Sequence, residues 1–461
     1  MDRPRVPLIP RNRRAAAASR QRRSFGTLWH RAEELFSHYR FATSALDQIA
    51  LSVFNFALTL CLVRTLSATD FGIVSLWMTV SLFALGIQNA LVNTPLSVYL
   101  PAAADDEARS RLEAALATVN LATLSAAAIG VVVVNLVSDA EWAAPDWITT
   151  VAVTAFIVTV LYREYYRSIA FAKHDMAMLV LIDAPYLAVT TGCLVVMLVW
   201  PQHFASLAVA FLALTLGGIA SQACRRRRPE ERRARPFGRG GLQPYRRVGR
   251  EVGWSLVGVI ASHLHGRSYV YVTINLVGLA GLAAINVVGV LFRPVGTLMM
   301  AWGRSALPQL AGHYAARRIE AFDKIVWRAF AAAGAASAAW TLLLWLCWQP
   351  IERHFLAGKY PDAWLLVIPW AVAAGLHCAE YTVGIALQAA REFRFLAYTT
   401  LLSAPLTVAA TAAVILWHGY TWTMYGSAFG HVVVLAMEGG RLFVIRRRLI
   451  ALLPADAAPA E

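Results

Sequence analysis

The segment Leu62-Val63-Arg64-Thr65-Leu66-Ser67-Ala68-Thr69-Asp70-Phe71-Gly72 lies between two long apolar stretches of the chain. Arg64 ends the first stretch, small and polar residues follow, and the Phe71-Gly72 pair begins the second. A membrane-spanning helix needs about 20 mostly apolar residues, and each flanking stretch approaches or exceeds that length. The segment therefore predicts a short turn between two transmembrane helices, with Asp70 as the N-cap of the second helix.

The rest of the sequence repeats this alternation of apolar stretches and short polar turns. Of its 461 residues, 58% are hydrophobic and 15% are charged, and the mean hydropathy is +0.53. A soluble protein carries about 25% charged residues, so the composition indicates that most of the chain lies in a bilayer. We predict an all-α polytopic membrane protein with twelve spans, at 45–63, 72–99, 115–137, 148–170, 178–200, 204–223, 253–277, 283–306, 326–348, 364–389, 396–417 and 423–445.

The lysines and arginines lie almost entirely on one side of the predicted spans. With the N-terminus in the cytoplasm, 37 of the 42 fall in cytoplasmic segments, three in outer loops, and two, Arg267 and Arg293, inside spans. Basic residues concentrate on the cytoplasmic side, so both termini are predicted to be cytoplasmic in a multi-pass protein of the bacterial inner membrane. The net charge of +15 would face anionic membrane lipids, and no nucleic-acid partner is expected.

Paired landmarks divide the chain into two halves. Leu100-Pro101 and Glu164-Tyr165 in the first half recur in the same order as Leu307-Pro308 and Glu380-Tyr381 in the second. Because both halves begin on the cytoplasmic side, we predict parallel repeats, two six-helix bundles around a central cavity. The predicted domains are a basic cytoplasmic tail with an amphipathic interfacial helix (1–44), the first bundle (45–223), an Arg-rich cytoplasmic linker (224–252), the second bundle (253–445) and a cytoplasmic tail (446–461).

Short motifs of the first half resemble a known family. The segment 62–72, the pair Asn55-Phe56 and the stretch Arg163-Glu164-Tyr165-Tyr166-Arg167 resemble the O-antigen and exopolysaccharide flippases of the multidrug/oligosaccharidyl-lipid/polysaccharide exporter superfamily. The equivalent turn of the second half, Leu276–Gly281, lacks the aromatic and the acidic residue of the pattern. The resemblance implies two bundles alternating around a cationic cavity. It also implies flipping of a lipid-linked oligosaccharide, usually on undecaprenyl diphosphate, for surface polysaccharide biosynthesis. A polysaccharide polymerase and export machinery would be partners.

Two arginines inside predicted spans are candidates for substrate binding. A charge within the bilayer is costly unless it faces a cavity or a partner, and guanidinium groups bind phosphate oxygens bidentately. We therefore expect Arg267 and Arg293 to line the cavity and hold an anionic head group. His263, Tyr271 and Asn275 continue the face of Arg267 at helical spacing. The alternative is that the arginines form structural ion pairs with Glu380 or Asp183.

Glu380 and His377 lie one helical turn apart within the tenth span and are candidates for ion coupling. A buried carboxyl group can exchange a proton near neutral pH, so coupling to a proton or a sodium gradient is possible. The alternative is a Glu380 paired with an arginine for stability. No cofactor and no metal site are expected, since His263 and His265 point to different helix faces and the five cysteines are scattered.

Two further sets of polar side chains fall inside or beside the spans. Asp183 is expected to pair with Arg163 or Arg167 near the inner surface, either as a gate or as a folding contact. His431 and Glu438, in the twelfth span, are expected to form hydrogen bonds between helices.

These features favour a transporter, a lipid-linked oligosaccharide flippase, over an enzyme. The first alternative is an ion-coupled multidrug or small-molecule exporter of the same superfamily, although two arginines suit a cationic drug poorly. A membrane polysaccharide polymerase or ligase is the second alternative. The longest predicted outer loops, 138–147 and 349–363, offer no paired acid and base for catalysis. The sequence also lacks a Gly-x-x-x-x-Gly-Lys nucleotide-binding loop.

Overall fold

The structure is a computed structural model of the chain, and it describes residues 40–100, 105–138, 140, 142–173, 175–224, 236–237, 241–246 and 249–451. All secondary structure in these ranges is helical. The predicted amphipathic helix before residue 40 lies outside the described residues, as do most of the Arg-rich linker and the end of the C-terminal tail.

Twelve long helices occupy the positions of the twelve predicted spans. In the first half they are α1 (Arg40–Thr65), α2 (Ala68–Gln88, continued by a π-helical segment Asn89–Asn93 and by Thr94–Tyr99), α3 (Asp106–Val137), α4 (Trp147–Ala172), α5 (Met176–Val199) and α6 (Leu207–Cys224). In the second half they are α7 (Gly249–Leu276), α8 (Leu279–Ala315), α9 (Ile319–Leu346), α10 (Val367–Ala389), α11 (Phe393–His418) and α12 (Thr423–Ala451).

Ten of these described helices are long and apolar enough to cross a membrane. The other two are α1 and α7. The side chains of α1 are described only over its apolar stretch Ile49–Thr65, and α7 carries His263, His265 and Arg267 within its length. Polar groups at this depth are stable where they face the interior of a bundle. The fold is that of an all-α polytopic membrane protein, as the composition predicted.

The helices of each half pack mainly on one another. In the first bundle α5 and α4 pack against α6, α3 packs against α4, and α1 packs against α5. In the second, α7 packs against α11, α10 and α11 against α12, and α8 and α9 against α10. The two bundles meet where α2 lies against α7 and α8.

The turn that opens α2 differs from the prediction in one detail. Asp70 is not the N-cap, because α2 begins earlier, at Ala68, and Ser67 occupies the capping position. The backbone N–H of Asp70 donates to Ser67 Oγ at 3.0 Å, and this hydroxyl donates to Asp70 Oδ2 at 2.7 Å. The pair resembles a capping box, in which a residue three positions into the helix supports the cap.

Candidate functional site

One cavity lies between the bundles and is almost wholly apolar. Its volume is about 690 Å³, and α2 and α3 supply most of its wall, including Trp77 and Phe83. The α7 side contributes Tyr271, Ile274 and Asn275. This space, here called the apolar cavity, has the chemistry to hold a hydrocarbon chain or a small apolar molecule.

A second cavity of about 330 Å³ lies inside the second bundle, between α7, α8, α10 and α12. Arg267, Arg293, His377 and His431 line it, together with the aromatic ring of Trp370. We call it the polar cavity. It brings together two arginines from different helices that the sequence had placed only at similar depths.

Neither arginine of the polar cavity forms an ion pair with a carboxylate of the described chain. Arg293 Nη1 donates to Thr59 Oγ1, on α1 of the other bundle, at 3.2 Å. Arg267 Nη1 donates to Tyr269 Oη at 3.4 Å. The carboxylates that might have paired with them, Glu380 and Asp183, have other partners. The two guanidinium groups therefore keep most of their donors for another ligand.

The other predicted substrate residues border the apolar cavity instead. Tyr271 and Asn275 line it, and Asn275 Nδ2 donates to the carbonyl of Tyr271 at 2.7 Å. His263 lies behind them, with Nε2 2.8 Å from Tyr271 Oη and its ring 4.6 Å from the ring of Phe83. The four residues expected on one face of α7 thus separate. Arg267 lines the polar cavity, Tyr271 and Asn275 line the apolar cavity, and His263 contacts Tyr271.

Glu380 lies at the centre of a cluster of histidines. Its Oε2 is 2.5 Å from His431 Nδ1 and 3.5 Å from His265 Nε2. His377 is one turn away, and its ring centroid is 5.1 Å from that of His431. Glu380 and His377 also border a further cavity of about 370 Å³, which Glu438 helps to line. The cluster therefore separates this cavity from the polar cavity.

His431 and Glu438 of the twelfth helix each form a hydrogen bond to a neighbouring helix. His431 contacts Glu380 on α10, and Glu438 Oε1 accepts a hydrogen bond from Thr399 Oγ1 on α11 at 3.1 Å. Glu438 is almost fully buried. These are the cross-helix contacts that the sequence predicted for this pair.

Asp183 is buried in the first bundle beside two guanidinium groups. Its Oδ2 accepts from Arg167 Nε at 2.8 Å, and its Oδ1 is 3.9 Å from Arg163 Nη1. Arg167 Nη1 also donates to Glu164 Oε2 at 3.0 Å. Arg163 lies over the ring of Tyr186, 3.6 Å from its centroid. The expected grouping is present, and it links α4 to α5 within one bundle.

Known structures share this architecture, although no protein-family model and no curated protein matches the sequence. A multidrug resistance MATE family transporter of the MOP superfamily, in an inward-facing conformation, gives a TM-score of 0.69 at 12% identity, over 87% of this chain and 96% of that chain. The lipid II flippase MurJ, in an inward closed conformation, gives 0.67 at 9% identity, over 88% and 90%. An outward-facing MATE structure gives 0.59 at 13% identity, over 89% and 95%.

The chain has the MATE and MurJ fold. The resemblance of the segment 62–72 therefore led to the correct architecture, two bundles of six helices. Membership of the polysaccharide flippase family remains a prediction, because similarity at this level of identity shows the fold alone.

The sequence did not identify the partners of His265 in the second bundle. The sequence pattern relates His265 only to His263, on the same helix. The structure places His265 against Glu380 of α10 and His431 of α12. A buried histidine on an apolar helix is a weak signal by itself, and its partners lie far away along the chain.

Proposed function

We propose that this chain is a transporter that flips a lipid-linked diphosphate oligosaccharide across the bacterial inner membrane by alternating access, for surface polysaccharide biosynthesis. The observation that supports this proposal most directly is the pair of arginines, Arg267 and Arg293, in the polar cavity without a carboxylate partner. A diphosphate is an anion that guanidinium groups bind well.

The neighbouring apolar cavity supports the same substrate class. A lipid-linked oligosaccharide has a charged head and a long hydrocarbon chain, and these need different environments. Arg267 lies one helical turn before Tyr271 on α7, and Tyr271 lines the apolar cavity. One molecule could therefore place its diphosphate near the arginines and the beginning of its chain between the bundles.

A flipping assay in proteoliposomes tests the proposal. Arg267→Gln and Arg293→Gln each remove charged hydrogen-bond donors worth about 1.5–3 kcal/mol. We expect roughly a tenfold or greater loss of flipping of a short undecaprenyl diphosphate-linked glycan. Arg304→Gln is the matched control, because Arg304 lies exposed on the same helix as Arg293 and outside the polar cavity. Full activity in both cavity variants would contradict the proposal.

The apolar cavity also supports a second candidate function, export of a small apolar compound. Its wall is rich in apolar and aromatic groups, as drug-binding cavities are. Efflux of an uncharged dye from loaded proteoliposomes distinguishes the two functions. An exporter would keep its efflux in the Arg267→Gln variant, because an uncharged compound does not need the guanidinium group.

Glu380 and His377 are the proposed coupling residues, through a proton or a sodium gradient. Support comes from their position between the polar cavity and the neighbouring cavity that Glu438 lines. Flipping should fall when ionophores collapse the gradient of the coupling ion, and Glu380→Gln should remove that sensitivity. Flipping that depends on neither gradient would exclude coupling.

A polysaccharide polymerase and export machinery are the proposed partners.

A further inference from the structure

Three side chains from three different helices of the second bundle converge on one point. His265 of α7, Glu380 of α10 and His431 of α12 each offer one ligand atom, and these atoms all lie within 4.8 Å of one another. His265 and His431 are 5% and 6% exposed. A group of two imidazoles and a carboxylate at this depth needs a cation or a shared proton to be stable.

Two hydroxyl groups lie beside one ring nitrogen of His265. Nδ1 is 3.1 Å from Ser403 Oγ and 3.2 Å from Thr407 Oγ1. Each hydroxyl also has a backbone carbonyl within hydrogen-bond distance, of Thr400 at 3.1 Å and of Ser403 at 2.8 Å. When the hydroxyls donate to these carbonyls, their oxygens accept from Nδ1–H of His265.

This arrangement leaves a lone pair on Nε2 when the His265 ring is neutral. Nε2 is buried without a hydrogen-bond partner and faces Glu380 Oε2 at 3.5 Å. A lone pair and a carboxylate oxygen repel each other unless a positive centre lies between them. The hydroxyl groups of Ser403 and Thr407 orient the imidazole as second-shell groups do in metal sites.

The two distances from Glu380 fit a tetrahedral metal ion with a small adjustment. Bonds of 2.0–2.2 Å from Zn²⁺ to nitrogen and oxygen place neighbouring ligand atoms about 3.3 Å apart in tetrahedral geometry. The separation of His265 Nε2 and Glu380 Oε2, 3.5 Å, is close to this value. His431 Nδ1, at 2.5 Å from Glu380 Oε2, would move outward by less than 1 Å, which a rotamer adjustment supplies.

We propose that His265, Glu380 and His431 form a binding site for a transition-metal dication, with Zn²⁺ as the best match. Two imidazoles and one carboxylate are the ligands that Zn²⁺ takes in sites with an open fourth position, whereas Mg²⁺ and Ca²⁺ prefer oxygen ligands. The ring of His377 lies beside that of His431. The cavities on either side of the cluster provide access.

Metal binding to the purified full-length chain tests the site independently of transport. The protein is prepared with a tag that lacks histidine, treated with a chelator and dialysed against Zn²⁺, and the bound metal is counted by mass spectrometry. We expect one Zn²⁺ per chain. Co²⁺ in its place should give the visible absorption bands of a tetrahedral complex, and X-ray absorption should show two imidazoles around the zinc.

Variants separate this site from adventitious binding. His265→Gln and His431→Gln should each lose the stoichiometric Zn²⁺, and Thr407→Val should weaken binding about 10–100-fold by removing a second-shell group. His263→Gln is the matched control, because His263 lies two residues from His265 but contacts Tyr271. It should bind one Zn²⁺ with unchanged affinity.

The proposal fails if the wild-type chain binds no Zn²⁺, which would leave a shared proton as the positive centre of the cluster. It also fails if His263→Gln lowers the affinity as much as His265→Gln does. Where a histidine variant does not fold, the wild-type X-ray absorption spectrum decides. A spectrum without imidazole scattering overturns the proposal.

Discussion

Asp183 has two candidate roles, as part of a gate or as a contact that stabilises the fold. It is 1% exposed, and its carboxylate faces Arg167 and Arg163 within one bundle. A gate has to open and close, and the described partners of Asp183 lie on α4, the helix before it. The location of these contacts inside the first bundle favours a folding contact.

Asp183→Asn should therefore reduce stability more than transport. Removing one partner of a buried ion pair costs about 3–5 kcal/mol, and Glu164, which also pairs with Arg167, should keep the loss near the lower value. Thermal unfolding in detergent measures the effect. Asp323→Asn is the control, because Asp323 pairs with the half-exposed Arg446 and such pairs contribute about 0–1 kcal/mol. A normal melting temperature with lost transport would instead identify a gate.

At the scale of elements, the turn 62–72 sets the contact between the bundles. A Cβ added to Gly72 would lie 2.4 Å from the carbonyl oxygen of Leu279, at the start of α8. Leu279 belongs to the segment 276–281, which the sequence identified as the equivalent turn of the second half. The two equivalent turns therefore pack directly on each other, and glycine at position 72 allows this close approach.

Gly72→Ala and Gly334→Ala should have opposite effects on stability. Alanine in a helix is favoured over glycine by about 1 kcal/mol, and Gly334, in α9, has open space around its Cα. Gly334→Ala should raise the melting temperature in detergent slightly. Gly72→Ala should lower it by several degrees, because backbone of α2 or α8 has to move. Equal gains in both variants would show that α2 and α8 do not approach each other closely at Gly72.

For the whole molecule, a lysine joins the two halves at one end. Lys359, in the loop between α9 and α10, donates from Nζ to the carbonyl oxygens of Arg64 and Leu66, each at 2.7 Å, and of Val63 at 3.3 Å. Burial, and then the charge of Arg64, lower the pKa of Lys359. The carbonyl groups at the end of α1 thus stabilise an ammonium group that its surroundings disfavour.

Opening this end of the molecule requires these contacts to break. Lys359→Gln should weaken them by about 1 kcal/mol after allowance for solvent screening. Amide hydrogen exchange should then become about fivefold faster in both contacting segments, the end of α1 and the loop 349–363. Arg353→Gln, in the same loop and exposed, should leave exchange at the end of α1 unchanged. Faster exchange in the loop alone would contradict a connection between the halves.

The sequence by itself determined the number, order and approximate ends of the twelve helices. Hydropathy over some 20 residues is a local property, and the bilayer requires each such stretch to satisfy its own backbone as a helix. The location of Arg267 and Arg293 inside α7 and α8 followed from their position along the sequence. Even at this level a local detail failed, since Ser67 rather than Asp70 caps α2.

Only the tertiary structure decided which of these side chains meet. It placed Arg267 and Arg293 in one cavity and assigned Tyr271 and Asn275 to another. It also brought His265 and His431 to Glu380 from helices far apart in the chain. A sequence pattern assigns a residue to a face of its own helix, but the neighbour of that face depends on how the helices pack. The pattern of the turn 62–72 predicted two helices. Only the structure shows that Gly72 packs against Leu279, where the two bundles are in contact.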